Sequence, residues 1–241
     1  MRAVAYLAER PGEALEALIG ALRPLGVHVQ PARPEKALGA ALLGLVPLGF
    51  SGAWVEEDLG EAVFAELERA EVEARTAGRV DAVIPAVGGL TGHWLLPRAL
   101  ARLMQREAPL GVRVLWVGDD VSAASGLRGV ARVDVLAGSQ PAAEQALAML
   151  PAGVRGEAAS SPHAAKRLFT AADWVIHAGG ALPLDLLLPF QTLVSFKHSE
   201  AGAARLVERV FDRRALLAER LALFAQEALG VDLPADAFRG G

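Results

Sequence analysis

The chain has 241 residues, which is enough for one large or two small domains, and its composition of 53% hydrophobic and 22% charged residues excludes wholesale disorder. A net charge of -4 excludes the basic signature of a nucleic-acid-binding protein. The absence of Cys excludes disulfides, thiolate catalysis and Cys-built metal sites. The chain also contains no Asn, and only three of its 24 basic residues are Lys.

One uncharged stretch, residues 37–55, has the length of a membrane-spanning helix. It contains several glycines and a proline, and acidic residues 56–58 follow it where a basic flank would be expected. A buried strand at Ala41–Val46 and a turn at Pro47–Gly49 account for the same residues. The N-terminal segment lacks the apolar core of a signal peptide. We therefore expect a cytoplasmic protein with neither membrane nor nucleic-acid partners.

Short β-rich runs alternate with longer runs of helical period, which is typical of βα units and a parallel sheet. In the first part of the chain, strands are predicted at Arg2–Leu7, Val27–Gln30, Ala41–Val46 and Val80–Pro85. Helices are predicted at Gly12–Leu22, Asp58–Ala77 and Gly92–Glu107. The second of these begins with Asp58 as its predicted N-cap and Glu61 three residues later, as in a capping box.

Pro109 ends the third predicted helix and marks a seam between two α/β lobes. Strands are then predicted at Val112–Val117, Val133–Leu136, Trp174–His177 and Thr192–Phe196. Helices are predicted near Ala142–Leu150, Pro162–Thr170, Glu200–Val210 and Arg214–Leu229. Gly230 follows the last helix and is a typical C-cap residue. The pattern predicts an α/β protein of two lobes.

The closing segment ALLAERLALFAQEALGVDLPADAFR is similar to the C-terminal signature of the shikimate dehydrogenase family, a helix of pattern ML..Q...AF before GV..P. Further matches follow in order along most of the chain. FSGAWVEEDLGEA resembles the family's F.GxNVTxPxKEA, AGRVDAV its GAxNTV, GGLTGHWLLPRAL its G.L.GxNTDxxGF, and ADWVIHAGG its ADLVVNATP. The resemblance implies an N-terminal α/β substrate-type domain at 1–108, a Rossmann-like parallel sheet at 109–212, and a last helix at 213–241 that returns to the first domain.

The resemblance also indicates which substrate-site groups this chain lacks. In the family, a Lys and an Asp carry proton transfer and hold the substrate hydroxyls, and the matching positions here are Gly60 and Leu96. Neither residue has a titratable group, so neither can act as acid or base. The Asn positions of the family motifs fall on Trp54, Asp81 and Trp94. The resemblance therefore implies that the frame of the family is kept while its substrate chemistry is lost.

Four polar residues map to the family's substrate pocket and remain candidates for a ligand site: Asp81, Thr91, His93 and Glu219. The alternative interpretation of these residues is ordinary surface or hinge polarity. Trp54 and Trp94 are expected to pack into the pocket rather than to serve as stacking platforms for a ligand. No residue is assigned a catalytic role.

The loop after the strand Val112–Val117 is the counterpart of the dinucleotide fingerprint GxGxxG. Gly118 matches its first glycine, but Asp120 replaces the second, and Ser122 is the next small residue. At roughly 4–5 Å, a carboxylate repels a phosphate by about 3 kcal/mol at an effective dielectric of about 20. Residues 138–140, where NADP-dependent members carry an Arg for the 2′-phosphate, read Gly-Ser-Gln. We expect no cofactor, and Gly118, Ser122 and His177 are the cofactor-site candidates if one binds.

His177 ends a predicted strand just before two glycines, at the edge where parallel sheets bind ligands. In the family its position faces the cofactor, whereas the alternative is a strand-end histidine bonded to a backbone carbonyl. His198 ends the next predicted strand, so the two imidazoles could share a metal or an anion, but their spacing is not a metal motif. No metal site is predicted. A triad built on Ser160 or Ser161 with His163 lacks a nucleophile elbow and is rejected.

Three hypotheses of function follow. The first is a shikimate dehydrogenase-like protein that has lost the parent NADP-dependent reaction and is a pseudoenzyme or binds another small molecule between its lobes. The second is an active oxidoreductase that uses NAD or NADP on a divergent substrate, with His93, His177 or Asp81 transferring the proton. The third is a structural or regulatory partner protein, for which a homodimer is one form.

Overall fold

The computed structural model describes residues 2–34, 37–197 and 202–239, and the chain divides into two compact units. The first unit comprises Met1–Ala99 and Leu217–Gly241, and the second comprises Leu100–Leu216. The C-terminal segment thus belongs to the unit formed by the N-terminal part of the chain.

The first unit is built on a five-stranded mixed sheet in the order β2-β1-β3-β4-β5. Its strands are β1 (Arg2–Leu7), β2 (Val27–Ala32), β3 (Phe50–Val55), β4 (Ala82–Ala86) and β5 (Gly89–His93). The helices along this part of the chain are α1 (Glu13–Leu22), α2 (Leu38–Gly44), α3 (Gly60–Glu66), α4 (Val72–Ala77) and α5 (Leu96–Glu107). β1 pairs in parallel with β2 and β3, whereas β3, β4 and β5 pair antiparallel. The carboxyl ends of β1 and β3 therefore lie side by side.

The second unit is built on a six-stranded parallel sheet in the order β11-β10-β9-β6-β7-β8. Its strands are β6 (Val112–Val117), β7 (Val130–Leu136), β8 (Arg155–Ala159), β9 (Trp174–His177), β10 (Thr192–Ser195) and β11 (Arg209–Phe211). The helices of this part are α6 (Gln140–Met149) and α7 (Pro162–Ala171), and α8 (Arg213–Leu229) begins in it. Numbered along the chain this is the order 3-2-1-4-5-6 of a Rossmann sheet, so the predicted fold class is confirmed.

Each unit has its own apolar core, and helical spacing explains how the helices contribute to it. α1 buries Ala14, Leu18 and Leu22, which share one face because they are four residues apart. α8 adds Leu221 and Phe224 to the same cluster. In the second unit, the cluster includes Leu115, Phe169, Val175 and Leu193.

The predicted strand at Ala41–Val46 is wrong, because this segment is the second half of α2 and the turn that follows it. Its Ala and Leu residues have high helix propensity, and a short apolar run has no period that separates strand from helix. Among the described residues, none of the helices combines the length and apolarity that a bilayer span needs.

The single helix predicted at Asp58–Ala77 is also wrong, because the chain forms α3 and α4 with a break between them. Leu67 is extended, with φ -95° and ψ 131°, and Ala70 forms a parallel bridge with Gly92 of β5. Asp58 does not cap α3, since its carboxylate accepts a hydrogen bond from the Glu9 amide at 3.2 Å. At this point the chain therefore pairs with the edge of β5 instead of continuing as a helix.

Two further helix predictions need correction. The segment predicted as a helix at Gly92–Glu107 begins inside β5, and α5 begins only at Leu96. The segment predicted as a helix at Glu200–Val210 contains a 3₁₀ turn at Ala203–Arg205 and the start of β11, and residues 200–201 lie outside the described residues. The sequence RGEAA of β8 was not predicted as a strand, because it contains no β-branched or aromatic residue.

Candidate functional site

A buried ion pair lies in the first unit, where β3 ends and β4 begins. The Asp81 carboxylate accepts hydrogen bonds from the Arg220 guanidinium at 2.9 Å and from the Leu95 amide at 2.8 Å. Asp81 is 1% exposed and Arg220 6% exposed. Burial raises the pKa of the Asp81 carboxyl, and the charge of Arg220 and the Leu95 amide oppose that shift. The pair fixes α8 to the segment that precedes β4.

Two tryptophans enclose the Arg220 side chain. Its guanidinium carbon lies 5.2 Å from the centre of the Trp54 ring and 5.4 Å from that of Trp94. A second guanidinium, that of Arg79, lies 4.5 Å from the centre of the Trp94 ring. Both tryptophans are buried, and Phe224 packs edge-on against Trp54. These alternating cations and aromatic rings fill the space beside the carboxyl end of β3 with the chain's own side chains.

A hydrogen-bonded group at the ends of β1 and β3 adjoins this stack. The Tyr6 hydroxyl donates to the Glu56 carboxylate at 2.8 Å and accepts from the Gly12 amide at 2.7 Å. The Trp54 indole donates to the same Glu56 oxygen at 3.3 Å. Burial, together with the nearby negative charge of Glu56, raises the pKa of the Tyr6 phenol, so Tyr6 is a neutral hydrogen-bonding group.

His93 and Glu71 form an acid–imidazole contact in the first unit. His93 Nδ1 lies 3.1 Å from Glu71 Oε2, and the Glu71 amide donates to the Gly92 carbonyl. The neighbouring His93 imidazole lowers the pKa of the Glu71 carboxyl. The Asp81 amide donates to the His93 carbonyl at 2.9 Å, so these two predicted site residues are neighbours. A carboxylate beside an imidazole is an arrangement that can exchange a proton.

The remaining predicted residues of this unit take different positions. Thr91 is half-buried on β5 opposite Ile84, and Glu219 is buried on α8 next to Arg220. Since Asp81, His93 and Glu219 are all buried, surface polarity does not account for them. Sequence reasoning missed Arg220, although a signal was present. Arg220 occupies the i+4 position from Leu216 on the apolar stripe of α8, where a charged residue indicates a buried partner.

The position that the resemblance aligns with a Lys is closed by backbone. Gly60 is buried at the start of α3, and a Cβ atom there would lie 2.8 Å from the Val80 carbonyl oxygen. The Val80 amide in turn donates to the Gly60 carbonyl at 3.2 Å. No side chain fits at this position without moving the backbone.

In the second unit, the loop after β6 makes a tight turn at Gly118. Gly118 has φ +125°, and a Cβ atom there would lie 2.7 Å from the Gly179 amide nitrogen. The Ala178 and Gly179 amides both donate to the Val117 carbonyl. Only glycine permits this close approach between the β6 and β9 loops.

The chain continues from this turn through a short link that contains no α-helix. A five-residue 3₁₀ turn, Ser122–Gly126, replaces the helix that connects the first two strands of a dinucleotide fold. The Asp120 carboxylate accepts a hydrogen bond from the Ser122 amide at 3.0 Å, and its carbonyl accepts one from the Trp116 indole. The amide that opens the 3₁₀ turn is thus bonded to a carboxylate of the chain itself.

His177 is buried at the end of β9 with both ring nitrogens close to polar atoms. Nε2 lies 3.0 Å from the Gly180 carbonyl oxygen, and Nδ1 lies 3.4 Å from the Ser195 hydroxyl. The bond to a backbone carbonyl matches one of the two interpretations of this residue. His198 lies outside the described residues. In the part of the chain that the structure describes, no three His, Asp or Glu side chains are grouped to hold a metal.

A pocket of about 680 Å³ opens at the carboxyl ends of β6 to β9. Its walls include Gly118, Gly138, Ser161 and Gly180, from the loops that follow these four strands. Asp119, Asp185 and Lys166 are the charged residues among its described walls. Ligands of open parallel sheets bind at this edge, so the pocket is a candidate binding site.

A mixed five-stranded sheet followed by a six-stranded Rossmann sheet, with a C-terminal segment that belongs to the first unit, is a fold of the shikimate dehydrogenase type. The chain matches no protein-family model, and no curated protein matches it in sequence. Among solved structures it is similar to shikimate 5-dehydrogenase from Thermus thermophilus, determined with NADP(H) and shikimate, with TM-score 0.72, 19% identity, and 99% of this chain and 97% of that chain covered.

Two other solved structures extend the comparison beyond shikimate. Quinate dehydrogenase from Corynebacterium glutamicum, in complex with NAD, has TM-score 0.73 and 17% identity, with 99% of this chain and 96% of that chain covered. Ligand-free 5-ketofructose reductase of Gluconobacter sp. strain CHM43 has TM-score 0.78 and 17% identity, with 99% and 96% covered. Identities this low establish the fold alone.

Proposed function

We propose that this protein uses a dehydrogenase fold to bind a small molecule and does not perform the nicotinamide-dependent reaction of its structural neighbours. The observation that carries the proposal is the link between β6 and β7. Dinucleotide folds bind pyrophosphate at a helix N-terminus, where free amides and the helix dipole attract the anion. Here the link has only a 3₁₀ turn, and Asp120 already accepts from the Ser122 amide.

The loop after β7, where the 2′-phosphate of NADP would bind, also lacks the Arg that usually pairs with it. Ser139 caps α6 by accepting from the Ala142 amide, and the Gln140 side chain donates to the Glu144 carboxylate and to the Ala158 carbonyl. Lys166 is the one basic residue among the described walls of the pocket, which also include Asp119 and Asp185. The residues present therefore do not fit NADP. A ligand without phosphate fits this pocket better.

The first unit supports the same proposal. The backbone excludes a lysine at Gly60, and Leu96 at the aligned Asp position is apolar. Trp54 and Trp94 occupy aligned Asn positions, and both are buried against Arg220. A polyhydroxylated substrate would find aromatic rings where the family offers amides and a titratable pair.

Calorimetric titration with NADP and NAD, together with absorbance assays of shikimate and quinate oxidation, tests the proposal on the full chain. We expect no cofactor binding at millimolar concentration and no turnover. Asp120→Gly serves as a matched variant, and we expect it to leave binding undetectable, because the helix N-terminus is still missing. Cofactor-dependent turnover by the purified protein would overturn the proposal.

Ligand binding in the pocket is tested by a thermal-shift screen of uncharged aromatic fragments against the same fragments carrying a phosphate. We expect stabilisation by members of the first set only. A Cβ atom on Gly138 meets nothing within 4 Å, so Gly138→Phe places a ring at the pocket wall without a backbone clash. The variant should fold and lose the stabilisation.

The second candidate function is an oxidoreductase with a divergent substrate, and the contact between His93 and Glu71 is the observation that favours it. In that case the imidazole would transfer the proton and the carboxylate would orient it. Cofactor binding accompanied by turnover that His93→Gln abolishes would support this alternative over a non-catalytic binding protein.

A further inference from the structure

The surface of the first unit carries a short apolar helix. α2 and the turn after it, residues 37–50, contain no charged or polar side chain in their described part. Leu43 is 78% exposed, and Val46 and Leu48 are 56% and 74% exposed. Surface helices of soluble proteins normally present polar side chains to water. This one presents leucine and valine.

Leu43 and Val46 border a groove of about 670 Å³, here called the α2 groove. Leu42, Leu43 and Val46 form one wall, and Pro85, Ala86 and Leu90 of the β4–β5 hairpin form part of the opposite wall. Val87, at the tip of the hairpin, is 98% exposed. An exposed apolar concavity between two elements is typical of a surface that binds another chain.

The rim of the α2 groove is acidic. Glu66 and Glu68 are exposed residues that line it, and the Glu66 carboxylate oxygen lies 3.0 Å from where a Cβ atom on Gly39 would be. The one basic residue of the described lining, Arg69, donates to the Val87 carbonyl at 2.8 Å. Its guanidinium therefore holds the hairpin tip while keeping its charge, and the two carboxylates leave the described lining with a net charge of -1.

We infer that the α2 groove docks a protein segment that is amphipathic and basic, with apolar side chains for the groove and Lys or Arg for its rim. A second copy of this chain joined by the same face would bring two linings of net negative charge together, four carboxylates against two guanidinium groups, and would offer less charge complementarity than a basic segment. An anionic lipid surface would be disfavoured for the same reason. The inference is independent of the proposed function, because it uses neither the pocket of the second unit nor the β6 loop.

Fluorescence anisotropy with two labelled model peptides tests the inference on the full chain. Both carry Leu at helical spacing, and the remaining positions are Lys in one and Glu in the other. We expect saturable one-to-one binding of the Leu/Lys peptide that weakens with salt, and at least about tenfold weaker binding of the Leu/Glu peptide. Equal affinity for the two peptides would overturn the inference.

Three variants separate docking in the groove from general attraction to an acidic protein. Leu43→Ser with Val46→Ser should weaken binding of the Leu/Lys peptide about tenfold, and Glu66→Gln with Glu68→Gln should weaken it and flatten its salt dependence. All four side chains are exposed, so folding should be unaffected. Leu110→Ser removes an apolar side chain that is 91% exposed in the second unit and should leave binding unchanged.

Two further results would contradict the inference. Unchanged affinity in the Leu43→Ser, Val46→Ser variant would mean that the peptide binds elsewhere. A wild-type dimer in analytical ultracentrifugation that the same variant dissociates would assign the face to a second copy of the chain.

Discussion

The carboxylate of Asp81 and the guanidinium of Arg220 lie 2.9 Å apart in the interior of the first unit, although 139 positions separate them in the chain. The contact joins the segment before β4 to α8, which follows the entire Rossmann sheet. Both side chains are almost completely buried, so the charge of each is stabilised mainly by the other.

Removing one member of this pair should be costly, because it leaves the other charge buried without its partner. We expect Arg220→Met or Asp81→Leu alone to lower the free energy of unfolding in urea by about 3–5 kcal/mol. The double variant should recover most of that loss. Arg167→Met, which breaks the exposed contact with Glu157, should change little. Single variants as stable as the wild type would show that the ion pair does not stabilise the fold.

Two glycines should respond to alanine with opposite signs. Gly60→Ala forces a Cβ atom against the Val80 carbonyl and should destabilise the protein by about 1–3 kcal/mol. Gly20 is exposed within α1, and a Cβ atom there meets nothing within 4 Å. Gly20→Ala should therefore stabilise the protein by about 1 kcal/mol through helix propensity. Thermal unfolding of both variants measures the two changes in melting temperature. Changes of the same sign would contradict the prediction.

The contact between Glu71 and His93 should appear in the pH dependence of stability. The pKa of Glu71 is lowered in the folded state, so the folded protein binds fewer protons than the unfolded chain as Glu71 titrates. Its stabilisation is present above the ordinary Glu pKa and is lost as the pH falls through the folded pKa. Between about pH 5.5 and about pH 3, Glu71→Gln should lose stability less steeply than the wild type. Parallel curves would show that the contact does not form in solution.

All four tryptophans of the chain, Trp54, Trp94, Trp116 and Trp174, are at most 3% exposed. Their fluorescence should lie at shorter wavelength than that of free tryptophan, and iodide should quench it weakly. Unfolding in urea should remove both properties together. Strong quenching of the native protein would contradict the burial of Trp54 and Trp94 against Arg220.

The sequence predicts the elements whose hydrophobic residues follow one clear period. It does not predict the elements that depend on pairing with a distant part of the chain. The central strands of the Rossmann sheet are runs of Val, Ile and Leu, and α1 and α8 have clear apolar stripes. α2 was mistaken for a strand because its apolar run is short and has no polar face. The helix predicted at Asp58–Ala77 breaks because Ala70 pairs with Gly92, a contact that local propensity does not contain.

The residues of the candidate site likewise fall into those that a local motif identifies and those that only a tertiary contact identifies. Asp81, His93 and Asp120 could be selected from motif positions, since a motif is a local pattern. The partner of Asp81 could not, because Arg220 reaches it only after the chain has built a second sheet. The clash at Gly60 depends on the path of Val80, which no spacing in the sequence specifies.

The short link between β6 and β7 also determines how this protein could be re-engineered. Replacing Asp120 with glycine would restore the letters of a dinucleotide fingerprint, with Gly118 before it and Ala123 as the small last residue, in one step. It would not by itself restore a helix, because the twelve residues 118–129 between β6 and β7 form no α-helix and contain only a five-residue 3₁₀ turn. An anion site at a helix N-terminus therefore requires this link to refold as an α-helix, which the exchange of a single carboxylate does not bring about.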